Sequence, residues 1–194
     1  EEVIRNKLIV DEGDPLNNIL YNKSLDNLRS LRIFKKVQGK IKDGSEPKLK
    51  KIDIVVEEMP TGEISLAAGV GTSGSSIGGG IKEKNFLGKG INLATNLEIS
   101  ESSIKGQFIY SKPNFAYTDN TLSTRLTNTS TDNLADFGYK VSEFSFSLGT
   151  EFEQFQNLFF SPSVSASIED LETNTQASDK LRSQEGEYTD IYFS

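Results

Sequence analysis

The chain has 194 residues, a formal net charge of −7, and neither His nor Cys. The acidic balance removes the basic footprint expected of a nucleic-acid-binding protein. The missing residue types exclude histidine acid–base catalysis, cysteine nucleophiles, disulfides and most zinc sites. No run approaches the roughly 20 apolar residues of a membrane-spanning helix. A barrel strand, however, needs only about 9–11 alternating residues, so a membrane location stays open.

Residues 1–60 predict a small α+β domain that begins with two helices. Apolar residues at positions 3, 4, 8 and 9 recur at helical spacing and predict a short amphipathic helix. A second helix is predicted to end near Arg32 or Ile33, with Asp14 as its N-cap and Pro15 in its first turn. Its leucines and isoleucines share one side, which indicates a core-facing surface.

Two alternating segments complete this domain. Residues 35–42 and 51–58 predict two strands, and the Asp-Gly-Ser-Glu-Pro run at 43–47 predicts the turn between them. Two helices and two strands give a thin core. We therefore expect a further strand upstream, and we interpret the sequence as a piece of a longer protein, because both of its ends interrupt a regular pattern.

Residues 61–194 alternate between apolar and polar positions in segment after segment. Ionisable residues such as Glu143, Glu151 and Glu169 fall on the polar side. A soluble sandwich also alternates, but its buried faces hold larger side chains than the serine and glycine found here. The pattern predicts antiparallel strands of an outer-membrane β-barrel. The eight predicted strands are residues 64–71, 77–82, 91–100, 104–111, 122–127, 143–152, 163–169 and 188–193.

The connections between these strands favour the same interpretation. If Thr61 enters from the periplasm, the two longest links, 128–138 and 172–185, both lie outside the cell. Short periplasmic turns and long outer loops are typical of such barrels. Phe86, Phe115 and Tyr117 then lie at periplasmic turns, where an aromatic girdle is expected, although ordinary turn packing accounts for them too.

Several motifs resemble the BamA family of outer-membrane insertases. They are Gly-Asp-Pro at 13–15, NKSLDNLRSLRIFKKV at 22–37, VVEEMPTGE at 55–63, GVGTS at 69–73, NFLGKG at 85–90 and YSKPNF at 110–115. The resemblance implies that residues 1–60 are the last POTRA domain of such a protein. It also implies that residues 61–194 are the first half of a 16-stranded barrel.

The same resemblance implies a function and a location. Members of the family fold and insert β-barrel proteins into the outer membrane without ATP, metal or any other cofactor. The implied partners are unfolded outer-membrane proteins, the lipoproteins of the assembly machinery and outer-membrane lipid, and none is a nucleic acid. The barrel would lie in the cell outer membrane and the N-terminal domain in the periplasm.

The first barrel strand, residues 62–73, is the implied functional site. Rich in small residues, it would lie at the barrel seam and pair weakly, so its free backbone groups could template an incoming strand. Crowding inside a curved wall explains the glycines equally well. The backbone residues predicted to pair with a client are Glu63, Ile64, Ser65, Leu66, Ala67, Ala68, Gly69, Val70 and Gly71. The predicted seam glycines are Gly69, Gly71, Gly78, Gly79 and Gly80, and the predicted periplasmic turn motif is Asn85, Phe86, Leu87, Gly88 and Gly90.

Three other classes of function compete with this one. A translocation or two-partner-secretion transporter shares the POTRA–barrel architecture and differs mainly in parts outside this sequence. A small structural barrel fits less well, because a POTRA-like unit precedes the strands. An enzyme is not expected: His is absent, the acids fit lumen-facing charges, and Gly78-Gly79-Gly80 lies between strands rather than before a helix.

Overall fold

The computed structural model describes residues 2–71 and 74–194. The chain forms two compact units. The first comprises Glu1–Thr61 with Leu87–Gly90, and the second comprises Gly62–Phe86 with Ile91–Ser194.

The first helix is shorter than its apolar pattern predicted. Helix α1 covers Glu2–Arg5, so the apolar residues at positions 8 and 9 lie beyond it. At Ile9 the backbone N–H donates to the Ser24 hydroxyl at 2.8 Å, and Ser24 is buried in the second helix. A tertiary hydrogen bond thus replaces the helical one that would have extended α1.

The second helix begins later than predicted. Helix α2 covers Asn18–Ser30, and Asn17 is its N-cap. The Asn17 side-chain oxygen accepts hydrogen bonds from the N–H groups of Ile19 at 2.9 Å and Leu20 at 3.3 Å. The assignment of Asp14 as cap was therefore wrong. An asparagine closer to the apolar stripe satisfies the free N–H groups of the first turn.

A two-stranded hairpin packs against α2. Strands β1 (Phe34–Asp43) and β2 (Lys50–Glu58) pair antiparallel, as the alternation predicted. Leu25, Leu28 and Val37 are buried and form the core of this unit.

The second unit is one antiparallel sheet, which confirms the predicted strand class. All eight predicted strands are present in order, and a short additional strand, β9, pairs only with β8. The predicted first strand extended to Ser73, but Thr72 and Ser73 lie outside the described residues. The strands are β3 (Gly62–Gly71), β4 (Gly74–Phe86), β5 (Ile91–Ser100), β6 (Ser103–Lys112), β7 (Thr121–Asn133), β8 (Tyr139–Phe155), β9 (Leu158–Phe160), β10 (Ser163–Thr173) and β11 (Gly186–Phe193).

The register keeps one face of this sheet apolar and the other polar across all eight main strands. Successive cross-strand partners define rows that remain on one face. One mostly apolar row runs through Ile64, Ile81, Thr95, Phe108, Leu126, Phe146, Ala166 and Ile191. The adjacent polar row runs through Ser65, Gly80, Asn96, Gln107, Thr127, Ser145, Ser167 and Asp190.

Two of the predicted links are more ordered than expected. The link predicted at 128–138 shrinks to residues 134–138, because β7 and β8 stay paired as far as Asn133 and Tyr139. The link after β10 contains a short helix, α3 (Asp179–Arg182). Backbone pairing thus continues through polar residues, which the apolar alternation could not indicate.

The main sheet begins with β3 and ends with β11, and within the described residues these two strands do not pair with each other. Both are therefore edge strands. None of the described helices is long and apolar enough to cross a membrane.

Candidate strand-pairing edge

Strand β3 is bonded to the sheet on one side only. It pairs with β4, and no strand lies on its other side among residues 2–71 and 74–194. Every residue of β3 is exposed, and Ile64, Leu66 and Val70 are 80%, 85% and 88% exposed. An edge of this kind presents a row of backbone N–H and C=O groups to any extended chain that approaches.

All nine residues predicted to pair with a client lie in this strand. Residues 63–71 fall within β3 without an interruption in its pairing to β4. Their side chains alternate between the two faces, so Ile64 and Leu66 continue the apolar face while Ser65 and Ala67 continue the polar one. An added strand would form hydrogen bonds with the backbone of β3. One face of β3 would present it with the small residues Ser65, Ala67, Gly69 and Gly71.

The five predicted seam glycines fall into two physical groups. Gly78, Gly79 and Gly80 on β4 are crowded: a Cβ would lie 3.2 Å from the Leu97 carbonyl oxygen at Gly78 and 3.1 Å from Leu66 Cδ2 at Gly79. At Gly80 a Cβ would overlap the Asn96 side chain. These three positions fit the crowding explanation: a side chain at Gly78 or Gly80 would press on the β5 backbone, and one at Gly79 would press on the Leu66 side chain of β3.

Gly69 and Gly71 on β3 are not crowded. A Cβ on Gly69 would meet only the Ser76 hydroxyl oxygen at 3.8 Å, and a Cβ on Gly71 would meet nothing within 4 Å. Packing within the described residues therefore does not require glycine at either position. Weak pairing remains as the physical consequence of glycine there, since glycine lowers strand stability.

The other end of β3 carries an ion pair to β4. Lys84 Nζ lies 2.5 Å from Glu63 Oε1, and Lys82 is the cross-strand partner of Glu63. Both side chains are partly exposed, so this pair adds little stability. The ion pair nevertheless distinguishes the two ends of β3. The beginning of the strand carries a charged side chain that contacts β4, whereas Gly69–Gly71 carry no charge.

The predicted turn motif lies between β4 and β5. Asn85 and Phe86 end β4, while Leu87, Gly88 and Gly90 adopt left-handed φ values of 56°, 70° and 66°. Glycine takes such φ values without strain. The turn is entered through a register shift between Glu83 and Phe86.

Sequence reasoning did not separate the crowded glycines from the open ones. Crowding depends on which residue of β5 lies opposite, and the Gly80↔Asn96 pairing is fixed by register. The described residues contain no group of three or more acidic side chains that could hold a metal ion.

Comparison with known proteins defines the class to which this sheet belongs. No protein-family model matches the chain. An outer membrane protein assembly factor of Treponema pallidum (strain Nichols) is 32% identical over 109 residues, which cover 53% of the chain and 13% of that protein.

Two solved structures share the fold. BamA from Haemophilus ducreyi lacking POTRA domains 1-3 has a TM-score of 0.82 and 20% identity, over 98% of this chain and 39% of that one. CdiB from Acinetobacter baumannii has a TM-score of 0.59 and 13% identity, over 96% of this chain and 38% of that one. At these identities the structures show the fold alone.

The fold and the sequence similarity together define an outer-membrane protein of the insertase and transporter class. Within that class, the similarity to the assembly factor and the shared BamA fold support a fragment of the BamA family. The chain spans 13% of the length of its curated relative and less than half of either solved chain.

Proposed function

We propose that this chain is part of a factor that folds β-barrel proteins and inserts them into the outer membrane. In this proposal β3 is the lateral seam of a 16-stranded barrel, and its free edge templates the incoming strand of a client by β-augmentation. The mechanism uses backbone hydrogen bonds alone and needs no enzyme chemistry or cofactor.

One observation carries the proposal: the edge strand β3 holds two glycines that packing does not require. Gly69 and Gly71 leave the far end of β3 with little strand propensity. A seam must open to admit a client, and a weakly pairing strand lowers the cost of opening it. The crowded glycines of β4 supply no such argument, because sheet geometry already accounts for them.

The test is to strengthen the edge without creating a steric clash. Gly69→Val and Gly71→Val in the full-length protein should raise strand propensity by up to about 1 kcal/mol each. Because both positions have room for a side chain, the barrel should still fold. We expect slower assembly of client barrels and more efficient disulfide crosslinking across the seam.

Gly106→Val is the matched control. A Cβ on Gly106 would also meet nothing within 4 Å, but this glycine lies in the central strand β6. The control variant should assemble clients at the parental rate. If client assembly and seam crosslinking are unchanged in both β3 variants, the proposed seam function is wrong.

We also propose that the first unit is a periplasmic POTRA domain. Its two helices and antiparallel hairpin support this assignment, as does the sequence motif that ends in Thr61-Gly62-Glu63. Its partners would be extended client segments and the lipoproteins of the assembly machinery.

A transporter is the second candidate, because CdiB shares the fold over 96% of the chain. Depletion of the full-length protein separates the two functions. Loss of many outer-membrane barrel proteins supports an insertase, whereas loss of a single exported protein supports a transporter.

A further inference from the structure

A phenylalanine-rich hairpin extends past the main sheet at the end of β8. Strand β8 pairs with β7 as far as Glu151, and beyond that point it pairs only with the short β9. Because the strands alternate in direction, this hairpin lies at the end of the sheet where β3 begins. It is distinct from the predicted girdle residues Phe86, Phe115 and Tyr117.

Large apolar side chains of this hairpin are exposed. Phe155, Phe159 and Phe160 are 67%, 58% and 50% exposed, and Leu158 is also exposed. Contiguous exposed apolar groups of this kind mark an interaction surface rather than ordinary solvent-facing residues.

Internal contacts hold the hairpin in shape. The Phe152 and Phe160 rings stack with centroids 6.1 Å apart. The Asn157 N–H donates to Glu153 Oε1 at 2.6 Å, and the Ser161 hydroxyl donates to Glu151 Oε2 at 3.1 Å. Both carboxylates thus accept hydrogen bonds within the hairpin and help to fix its conformation.

The apolar face of the sheet continues into this hairpin. Alternation along β8 places Phe144, Phe146, Leu148 and Phe152 on one face. Phe160 pairs with Phe152 on that face, and a register shift after Glu153 brings Phe155 opposite Leu158 on the same face. On the other side of Phe144 the same face becomes polar, with Ser142 and Lys140. One boundary of the apolar band therefore lies near Phe144.

Strand length places the hairpin at the opposite boundary. At about 3.3 Å per residue and a tilt of about 40°, the stretch from Phe144 to Phe155 rises about 28 Å along the membrane normal. The apolar band of an outer-membrane barrel is about 25 Å tall. The tip of the hairpin thus reaches the level where hydrocarbon meets the lipid headgroups, and girdles of aromatic residues flank the apolar band of such barrels at that level.

We propose that the β8–β9 hairpin anchors the sheet in the lipid interface, with Phe155, Leu158 and Phe160 inserted among the headgroups and upper acyl chains. Phe159 pairs with Glu153 and lies on the polar face, outside this anchor. The inference rests on the location of the sheet in the outer membrane. It assigns a lipid-binding surface to residues outside the strand-pairing edge.

Lipid-quenched tryptophan fluorescence tests the proposal. The 194 residues contain no Trp, so Phe155→Trp in the full-length protein adds a signal that can be read after subtraction of the parent spectrum. The protein is reconstituted into vesicles of phosphatidylethanolamine and phosphatidylglycerol that are brominated near the top of the acyl chains or, in a second set of vesicles, near their ends. Leu148→Trp reports on the middle of the apolar face. Phe137→Trp is the matched control, since Phe137 is 64% exposed in the link at the opposite end of the sheet.

We expect brominated lipid to remove most of the Phe155→Trp emission, and that emission to be blue-shifted, while the Phe137→Trp probe responds only to an aqueous quencher. Quenching at position 148 but not at 155 would overturn the anchor and leave the membrane location intact. A probe at 155 shielded from both lipid and water would indicate a protein contact and would also overturn the anchor. Absence of lipid quenching at 148 as well would reject both the anchor and the membrane placement.

Discussion

Gly80 lies where atoms of two neighbouring strands converge. A Cβ there would overlap Asn96 Oδ1, and it would lie 3.1 Å from both the Ser65 hydroxyl oxygen and the Thr95 carbonyl oxygen. The two side chains can rotate away, but the Thr95 carbonyl belongs to the β5 backbone and cannot. The shape of the wall at this point therefore depends on the absence of a side chain.

We predict that Gly80→Ala destabilises the sheet by about 1–3 kcal/mol, the usual cost of overpacking. Gly69→Ala should be neutral or should stabilise by about 0.4–1 kcal/mol, because the added methyl fits and restricts the unfolded chain. Urea unfolding of the full-length protein in detergent measures both values. Equal effects of the two substitutions would contradict the division into crowded and open glycines.

Ion pairs contribute to the stability of the β1–β2 hairpin in the first unit. Asp53 accepts an ion pair from Lys42 at 2.6 Å and another from Lys51 at 3.4 Å. The hydrogen bond from Lys42 is the main reason that the pKa of Asp53 lies below its ordinary value of 3.8. The hydrogen bond and charge of Lys50 lower the pKa of Asp43 in the same hairpin.

A depressed pKa fixes the sign of the pH dependence. The stabilisation is fully present above the unfolded-state pKa and is lost as the pH falls through the lower folded-state value. We predict that hydrogen-exchange protection of the β1–β2 hairpin, corrected for intrinsic exchange, decreases as the pH falls below about 4. Asp53→Asn should show a smaller decrease. An unchanged decrease in this variant would mean that other groups are responsible.

The strands could be predicted from the sequence because the polarity of each residue indicates which face of the sheet it lies on. In β6 and β8, for example, Phe108 and Phe146 mark the apolar row while Gln107 and Ser145 mark the polar one. Strand ends were harder, since Thr129 and Ser130 pair with β8 although both faces are polar there. The extent of α1 depended on the Ser24 contact, which no local pattern encodes.

The candidate site was predictable only in part. Alternation indicates that residues 64–71 form a strand, but it does not indicate that the strand lies at an edge. That expectation came from the resemblance to the BamA family. The difference between Gly69 and Gly80 depends on what faces each of them across the sheet, so it became visible only with the register.

The two edge strands β3 and β11 each present a row of backbone N–H and C=O groups that no other strand pairs within the described residues. In hydrocarbon, each unpaired N–H or C=O group costs several kcal/mol, so neither edge can remain open in the membrane. Two arrangements remove the edges. Either β11 pairs with β3 to close a small barrel of eight main strands, or further strands of a larger barrel lie between them.

Cysteine crosslinking in the full-length protein distinguishes these two arrangements. Because the 194 residues contain no Cys, introduced pairs can be read against a clean background within this part of the protein. Ala68→Cys on β3 is combined in turn with Thr189→Cys, Ile191→Cys and Phe193→Cys on the same face of β11. In a 16-stranded barrel these strands lie far apart, so we expect no disulfide in any of the three pairs. Ala68→Cys with Ile77→Cys is the positive control, because these residues are direct cross-strand partners on β3 and β4. A disulfide between β3 and β11 would require closure after eight strands, and the half-barrel assignment would then fail.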